Sequence, residues 1–165
     1  MRKILSVLLA FMLSLSFAGC AFSSVTNAGS TDSAKSFYDK VNESKALLDL
    51  VATDVCAAWK DAQYDYNLST KDVNNAIEKA KKEHGDDITK INELDIEIRD
   101  VFDKAKDEMN EISAKFALEQ VMIAYSEYKD SILNANEALD SSGYVGVSIS
   151  KDSLDRALQE LFVKL

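Results

Sequence analysis

The sequence predicts an all-α fold: an antiparallel helical bundle with long coiled-coil-like helices and a short C-terminal amphipathic helix. Three observations predict it. Proline is absent from the 165 residues and glycine appears 5 times, too few turn residues for a β-sandwich or barrel. Apolar residues recur at steps of three and four over long stretches, the period of a helix face. The one stretch of strand-like alternation is too short to form a sheet alone. A chain of this length, 47% hydrophobic, suits one domain with a real core and is too small for a two-lobed solute-binding protein.

A first helix is expected from Asp32 to about Tyr66. Phe37, Val41, Leu48, Val51, Val55, Ala58 and Ala62 form its heptad seam, interrupted only by Ser44. Leu47, Ala52 and Trp59 widen the seam into a core-facing stripe, and Trp59 itself reads as core. At 1.5 Å per residue such a helix is roughly 50 Å long. Cys56 lies at the stripe's edge with no histidine or basic cluster nearby in sequence to acidify it, and reads as a structural thiol.

Ser69 or Thr70 can cap a second helix through Val73, Ala76, Ile77 and Ala80, ending near His84-Gly85. Asp86-Asp87 then offer caps and first-turn negative charge to a third. Its seam runs through Ile88, Ile91, Ile98, Phe102, Ala105, Met109, Ile112 and Phe116. Asp95 interrupts it and reads as a residue at the helix margin or paired with a base. A different register follows in Leu118, Val121, Tyr125, Tyr128, Ile132, Ala135 and Leu139. The two registers are two residues out of phase, about 200° around a helix. Either the chain breaks within 106–117, or one helix over 87–140 shows opposite faces to different neighbours. Ser141-Ser142-Gly143 ends this region and Tyr144 to Ser150 is expected as a loop. After Ser150 a final helix places Leu154, Ala157, Leu158, Leu161, Phe162 and Leu165 on one face. Its polar face has no basic excess, so it is expected to pack on the bundle rather than lie on anionic lipid.

The N-terminal segment carries the address. Arg2 and Lys3 precede an uncharged apolar run, Ile4 to Phe17, too short to span a membrane but suited to a secretory signal. Phe17-Ala18-Gly19-Cys20 follows and resembles the lipobox of bacterial lipoproteins. The resemblance covers residues 1–20 and implies that Cys20, bearing thioether-linked lipid and palmitate-type acyl chains, becomes the first residue after signal 1–19 is removed. Phe17 departs from the family's usual leucine at that position. Ser16-Phe17-Ala18 also fits ordinary small-residue cleavage, which gives a secreted protein, and a retained N-terminal anchor is a third reading. Residues 20–31, small and uncharged, read as the lipidated cysteine and its tether, and 32–165 as the bundle domain. Removing Arg2 and Lys3 takes 19 basic residues to 17 against 28 acidic ones, net −11. That balance argues against nucleic acid or an anionic membrane surface as the main partner. Cys56 would then be the only remaining thiol, with no partner for an intramolecular disulfide.

No catalytic constellation emerges. His84 is the only histidine, so mechanisms needing two are excluded and a zinc cluster lacks ligands. Beside Gly85 it reads as a helix C-terminal residue, and nothing local favours a Cys56–His84 catalytic pair. Asp65-Tyr66-Asn67-Leu68-Ser69 begins like a calcium loop, but Thr70 replaces the turn glycine and Ala76 the closing glutamate. No phosphate-binding glycine loop or nucleophile elbow occurs. Acidic residues are densest over 86–111, where Asp100–Lys104 and Glu111–Lys115 are ordinary i,i+4 pairs worth about a few tenths of a kcal/mol each.

Trp59-Lys60-Asp61-Ala62-Gln63-Tyr64-Asp65, with Ala124-Tyr125-x-x-Tyr128 and Ser142-Gly143 before the last helix, resembles uncharacterised small helical proteins of Gram-positive bacteria. The resemblance covers residues 32–165, supports the all-α reading and implies no activity. The expected function is therefore non-enzymatic: a lipid-anchored protein on the extracytoplasmic face of the cell membrane with a binding or structural role in the envelope. No cofactor is expected, and Glu93, Glu97, Asp100 and Asp103 are the candidate partner-binding face. The rivals are a divalent-cation binder using the acidic helix 86–111 and an envelope enzyme or inhibitor with a groove that the sequence does not reveal.

Overall fold

The computed structural model describes residues 31–64, 70–135 and 141–165. Cys20, the rest of 20–30, the Asp65–Ser69 segment considered for calcium, and Leu139 lie outside the described residues. The described chain is built of α1 (Asp32–Tyr64), α2 (Thr70–Glu83), α3 (Gly85–Glu108), α4 (Ile112–Leu133) and α5 (Ser141–Phe162). No strand occurs among the described residues.

Thr31 starts α1 with its side chain: Oγ1 accepts a hydrogen bond from the Ala34 N–H at 3.1 Å, satisfying one of the first-turn donors. The heptad seam then behaves as its spacing demands. Phe37, Val41, Leu48, Val51 and Val55 are buried, as is Trp59. Ser44, the interruption, is fully buried as well, and its hydroxyl lies 3.0 Å from the Tyr125 hydroxyl on α4. A small polar side chain fits the seam because a partner across the core satisfies it.

Contacts between the helices fix their directions. Lys40 pairs with Glu97, and the Phe37 and Phe102 rings lie 5.7 Å apart, so α3 runs antiparallel to α1. His84, just before α3, meets Asp54 much further up α1. Asp95 of α3 meets Lys129 and Lys106 meets Glu119, so α4 runs antiparallel to α3. Lys45 meets Asp155 and the Tyr38 ring lies 5.7 Å from that of Phe162, so α5 descends beside α1. The order is up, down, down, up, down, with α2 and α3 sharing one descending path along the long α1.

The register change between 88–116 and 118–135 is a chain break. Met109 (φ −69°, ψ 135°) and Glu111 (φ −82°, ψ 122°) are extended, and they separate α3 from α4 without glycine or proline. Met109 is 1% exposed and plugs the turn, and its N–H closes the last turn of α3 on the Ala105 carbonyl. The break corrects the seam expected through Ile112 and Phe116. Their side chains are 84% and 60% exposed, because the reversal carries the start of α4 away from the face that α3 buries. Leu94, outside that seam, is buried instead. The second register is buried as expected from Leu118 to Ala135.

The last helix is longer than expected. α5 has 22 residues and takes in Tyr144 to Ser150, which were expected as a loop. The physical reason is a seam read at the wrong period: Val147, Leu154, Ala157, Leu158 and Leu161 are buried, at steps of seven, three, one and three that keep one helical face. Val145 and Ile149, which suggested alternation, face outward. Phe162 is 63% exposed rather than core, although its ring meets Tyr38.

These burials make a direct prediction. Leu154→Ala should lower unfolding stability by about 2–5 kcal/mol, the usual result of emptying a packed leucine site. Ile112→Ala should stay within about 0.5 kcal/mol, as for an exposed position. Urea denaturation of the two variants beside the parent chain checks both.

Candidate functional site

Three helices converge on a charged groove of about 430 Å³, lined by Asp49, Thr53, Cys56 and Lys60 of α1, Tyr128 of α4, and Ser148 and Lys151 of α5. Asp49 organises it. Lys45, one turn earlier on α1, donates to its Oδ2 at 3.0 Å, while Tyr128 and Lys151 approach Oδ1 at 2.6 and 3.0 Å. Lys45 also reaches Asp155 of α5 at 3.0 Å. Partial burial disfavours the Asp49 anion, but the bonds from Tyr128, Lys45 and Lys151 outweigh it and hold the carboxyl below its ordinary range. Burial, then the adjacent carboxylate, pushes the Tyr128 phenol far above its ordinary range. Tyr128 is therefore a fixed donor, and Asp49 a fixed acceptor already holding three donors. Such a carboxylate positions helices; it is not poised to take or give a proton.

Cys56 lines the same groove, half-buried. Burial raises its thiol, and the opposing influence of Lys60 does not reverse the shift. This suits the structural thiol expected from the seam edge. His84 is not its partner. The His84 ring sits at the junction of α2 and α3, with Nε2 2.8 Å from Asp54 of α1 and Nδ1 2.8 Å from Asp87 of α3. Partial burial opposes its charge, but the bonds to Asp87 and Asp54 prevail and raise its pKa above the ordinary 6.5. An imidazolium, with two N–H donors, satisfies both carboxylates at once. His84 stands directly after Glu83 at the C-terminus of α2, as expected, its N–H bonded to the Lys81 carbonyl at 3.1 Å, and its side chain ties that end to α1 and α3 as well. Gly85 opens α3 with no positive φ, and neither Asp86 nor Asp87 caps it.

Asp95 resolves as a paired residue. It accepts from Arg99 Nε at 3.1 Å on its own helix and from Lys129 at 2.9 Å on α4. Partial burial works against its charge, yet these two cations keep its carboxyl below the usual range. A seam position can thus hold a charge when the neighbouring helix supplies the counterion.

Glu93, Glu97, Asp100 and Asp103 are all exposed on α3. Glu97 is engaged by Lys40 of α1, and Glu93 lies 3.8 Å from Lys90. The spacing 93, 97, 100 repeats one helical face, which Asp103 extends. The structure therefore brings these side chains to one outward surface, though one of them also ties α3 to α1. The expected Asp100–Lys104 and Glu111–Lys115 pairs do not form, and Glu111 instead accepts from Ser113. No group of three or more His, Cys, Asp or Glu side chains placed to hold a metal ion occurs among the described residues. None of the described helices is long and apolar enough to cross a membrane.

The sequence revealed neither the Asp49 groove nor a second, apolar surface. Ile112, Phe116 and Val163, with Ser113, Glu160 and Lys164, line a shallow apolar depression of about 750 Å³ between the start of α4 and the end of α5. The period of α3 places Ile112 and Phe116 in a buried seam, and only the turn at 109–111 exposes them. No family model, curated protein or solved structure matches the chain.

Two measurements follow from this geometry. A His84 pKa raised in the folded state stabilises fully below the unfolded value near 6.5, and the contribution fades as pH rises through the folded value. The urea midpoint of the parent chain should therefore exceed that of His84→Gln by more at pH 5.5 than at pH 8.5; an equal difference would contradict the double carboxylate contact. Cys56 should react slowly with a thiol reagent in the folded protein and much faster in denaturant, as burial and a raised pKa require.

Proposed function

We propose that the chain is a lipid-anchored protein on the extracytoplasmic face of the bacterial cell membrane, acting by binding a protein or envelope partner rather than by catalysis. The N-terminal pattern supports the location. A basic pair, an apolar run from Ile4 to Phe17 and small residues before Cys20 are what signal processing and lipid attachment require. Attachment through two or more acyl chains would hold the protein stably on the membrane.

One observation carries the binding role: the side chains best suited to chemistry are committed to holding helices together. His84 is shared by two aspartates, Asp49 by two lysines and a tyrosine, and Asp95 by an arginine and a lysine. The outward face of α3 is different, since Asp100 and Asp103 are exposed to solvent and make no ion pair that ties one helix to another among the described residues. A row of exposed carboxylates on a rigid helix can steer a basic partner surface into register.

Cys20→Ala should abolish labelling by radioactive fatty acid and release or misprocess the chain; unchanged labelling would remove the lipid anchor. Crosslinking on intact cells followed by mass spectrometry identifies the partner. Reversing Glu93, Glu97, Asp100 and Asp103 to lysine should then weaken its capture, with the larger difference at low salt, where the charges are least screened. Undiminished capture by a folded variant would move the binding surface elsewhere.

A further inference from the structure

We propose that the end of the bundle where α1 begins inserts its exposed apolar side chains into the headgroup boundary of the bilayer that holds the chain's own lipid. The inference rests on the reading of Cys20 as the lipidated residue. Four large apolar side chains are exposed at this end: Ile112, Phe116 and Val163, 84%, 60% and 70% exposed, line one depression, and Phe162, 63% exposed, precedes Val163 and packs its ring on Tyr38. They stand where the first turns of α4 meet the last turn of α5 and its end. The Phe162 ring lies 5.7 Å from Tyr38, which is less than two helical turns from Asp32. The patch and the entry point of the chain thus share one end of the bundle. A contiguous exposed apolar patch of this kind marks a contact surface.

The length of chain between the lipid and the bundle selects the bilayer as occupant. Cys20 and Asp32 are twelve residue steps apart, a reach of at most roughly 43 Å. The 33 residues of α1 extend about 50 Å. An inverted molecule, far end down, would hold Asp32 beyond the reach of the chain. The Asp32 end has no such bar, so the tether keeps the patch at high effective concentration near lipid. Lys115 and Lys164 flank the patch and can extend their ammonium groups to lipid phosphates while their stems lie along apolar surface. Glu111 and Glu160 offset them, so apolar insertion rather than a basic surface drives the contact.

The test uses the full chain, purified in its processed form and reconstituted into vesicles of phosphatidylethanolamine and phosphatidylglycerol with brominated acyl chains. A fluorophore is placed at position 163 through Val163→Cys in a Cys56→Ser background, and in a second protein at position 82 through Lys82→Cys. Bromine quenching should be several-fold stronger at 163 than at 82. Ile112→Asp combined with Phe116→Asp should remove that excess while the acyl mass and vesicle flotation are unchanged. Equal quenching at both positions in an acylated, vesicle-bound protein overturns the docking and leaves the anchor standing. Absence of acyl mass on Cys20 overturns the anchor and the docking with it. Shielding at 163 that follows protein density rather than bromination assigns the patch to a second copy of the chain and also overturns the proposal. If the double substitution perturbs the fold, the comparison of 163 with 82 in the unsubstituted surface decides alone.

Discussion

The length of α1 is the constraint that the rest of the bundle answers. Its 33 residues carry an apolar seam along nearly their whole length, and no other described helix is as long. Covering the seam takes two consecutive helices on one side, α2 above and α3 below, with a change of helix at His84 between them. α4 and α5 close the remaining sides over the lower part, where Phe37, Val41, Leu48 and Val51 are buried. Apolar burial of this kind supplies most of the favourable free energy of a domain, so a helix left uncovered would be the weakest part of the fold.

Apolar seams alone are tolerant of sliding by a turn, since leucine against isoleucine packs acceptably in several registers. Polar contacts across the core select among them. Ser44 meets Tyr125, Asp49 meets Tyr128 and Lys151, and Asp95 meets Lys129, joining α1 to α4, α1 to α5 and α3 to α4. Displacing any of these helices by one turn, about 5.4 Å, would separate the partners and leave half-buried charges uncompensated. Their role here is to specify register. The same commitment explains why residues that attract a search for catalysis have so little chemical freedom. The Tyr125 phenol, pushed up to about 12 chiefly by burial, is one more group kept neutral for structural use.

Polarity is arranged along the bundle as well as around it. Acidic side chains occupy the outward face of α3, while the large exposed apolar side chains at the meeting of α4 and α5 lie at the end where α1 starts. On the proposed reading, one end of the molecule faces the anchoring membrane and the sides remain available to a partner. A net negative domain is repelled by anionic lipid over its surface as a whole. An apolar contact limited to one end is compatible with that repulsion, whereas lying flat along the acidic α3 is not.

The sequence by itself determined the helical class, the start of α1 at Asp32 and its course through Tyr64, the second helix, and the burial of Leu118 to Ala135. These follow from local periodicity, because a side chain's face on a helix depends only on its position along that helix. It also limited Asp95 to a helix margin or a pairing with a base, since a charge inside a seam has few other stable solutions, and the packing of α4 supplies the pair with Lys129. The tertiary structure decided what periodicity cannot carry. The reversal at 109–111 uses two extended residues of ordinary type, so no glycine or proline announces it, and only the antiparallel packing of α4 shows that Ile112 and Phe116 lie outside. The first turns of α5 looked like a strand because Val145, Val147 and Ile149 alternate; burial of Val147 in line with Leu154 settles the period. The groove around Asp49 joins residues about 79 and 102 positions apart in the chain, and His84 finds Asp54 across 30. Distance along the chain hides such partners, and only the packing of one helix on another brings them within a hydrogen bond.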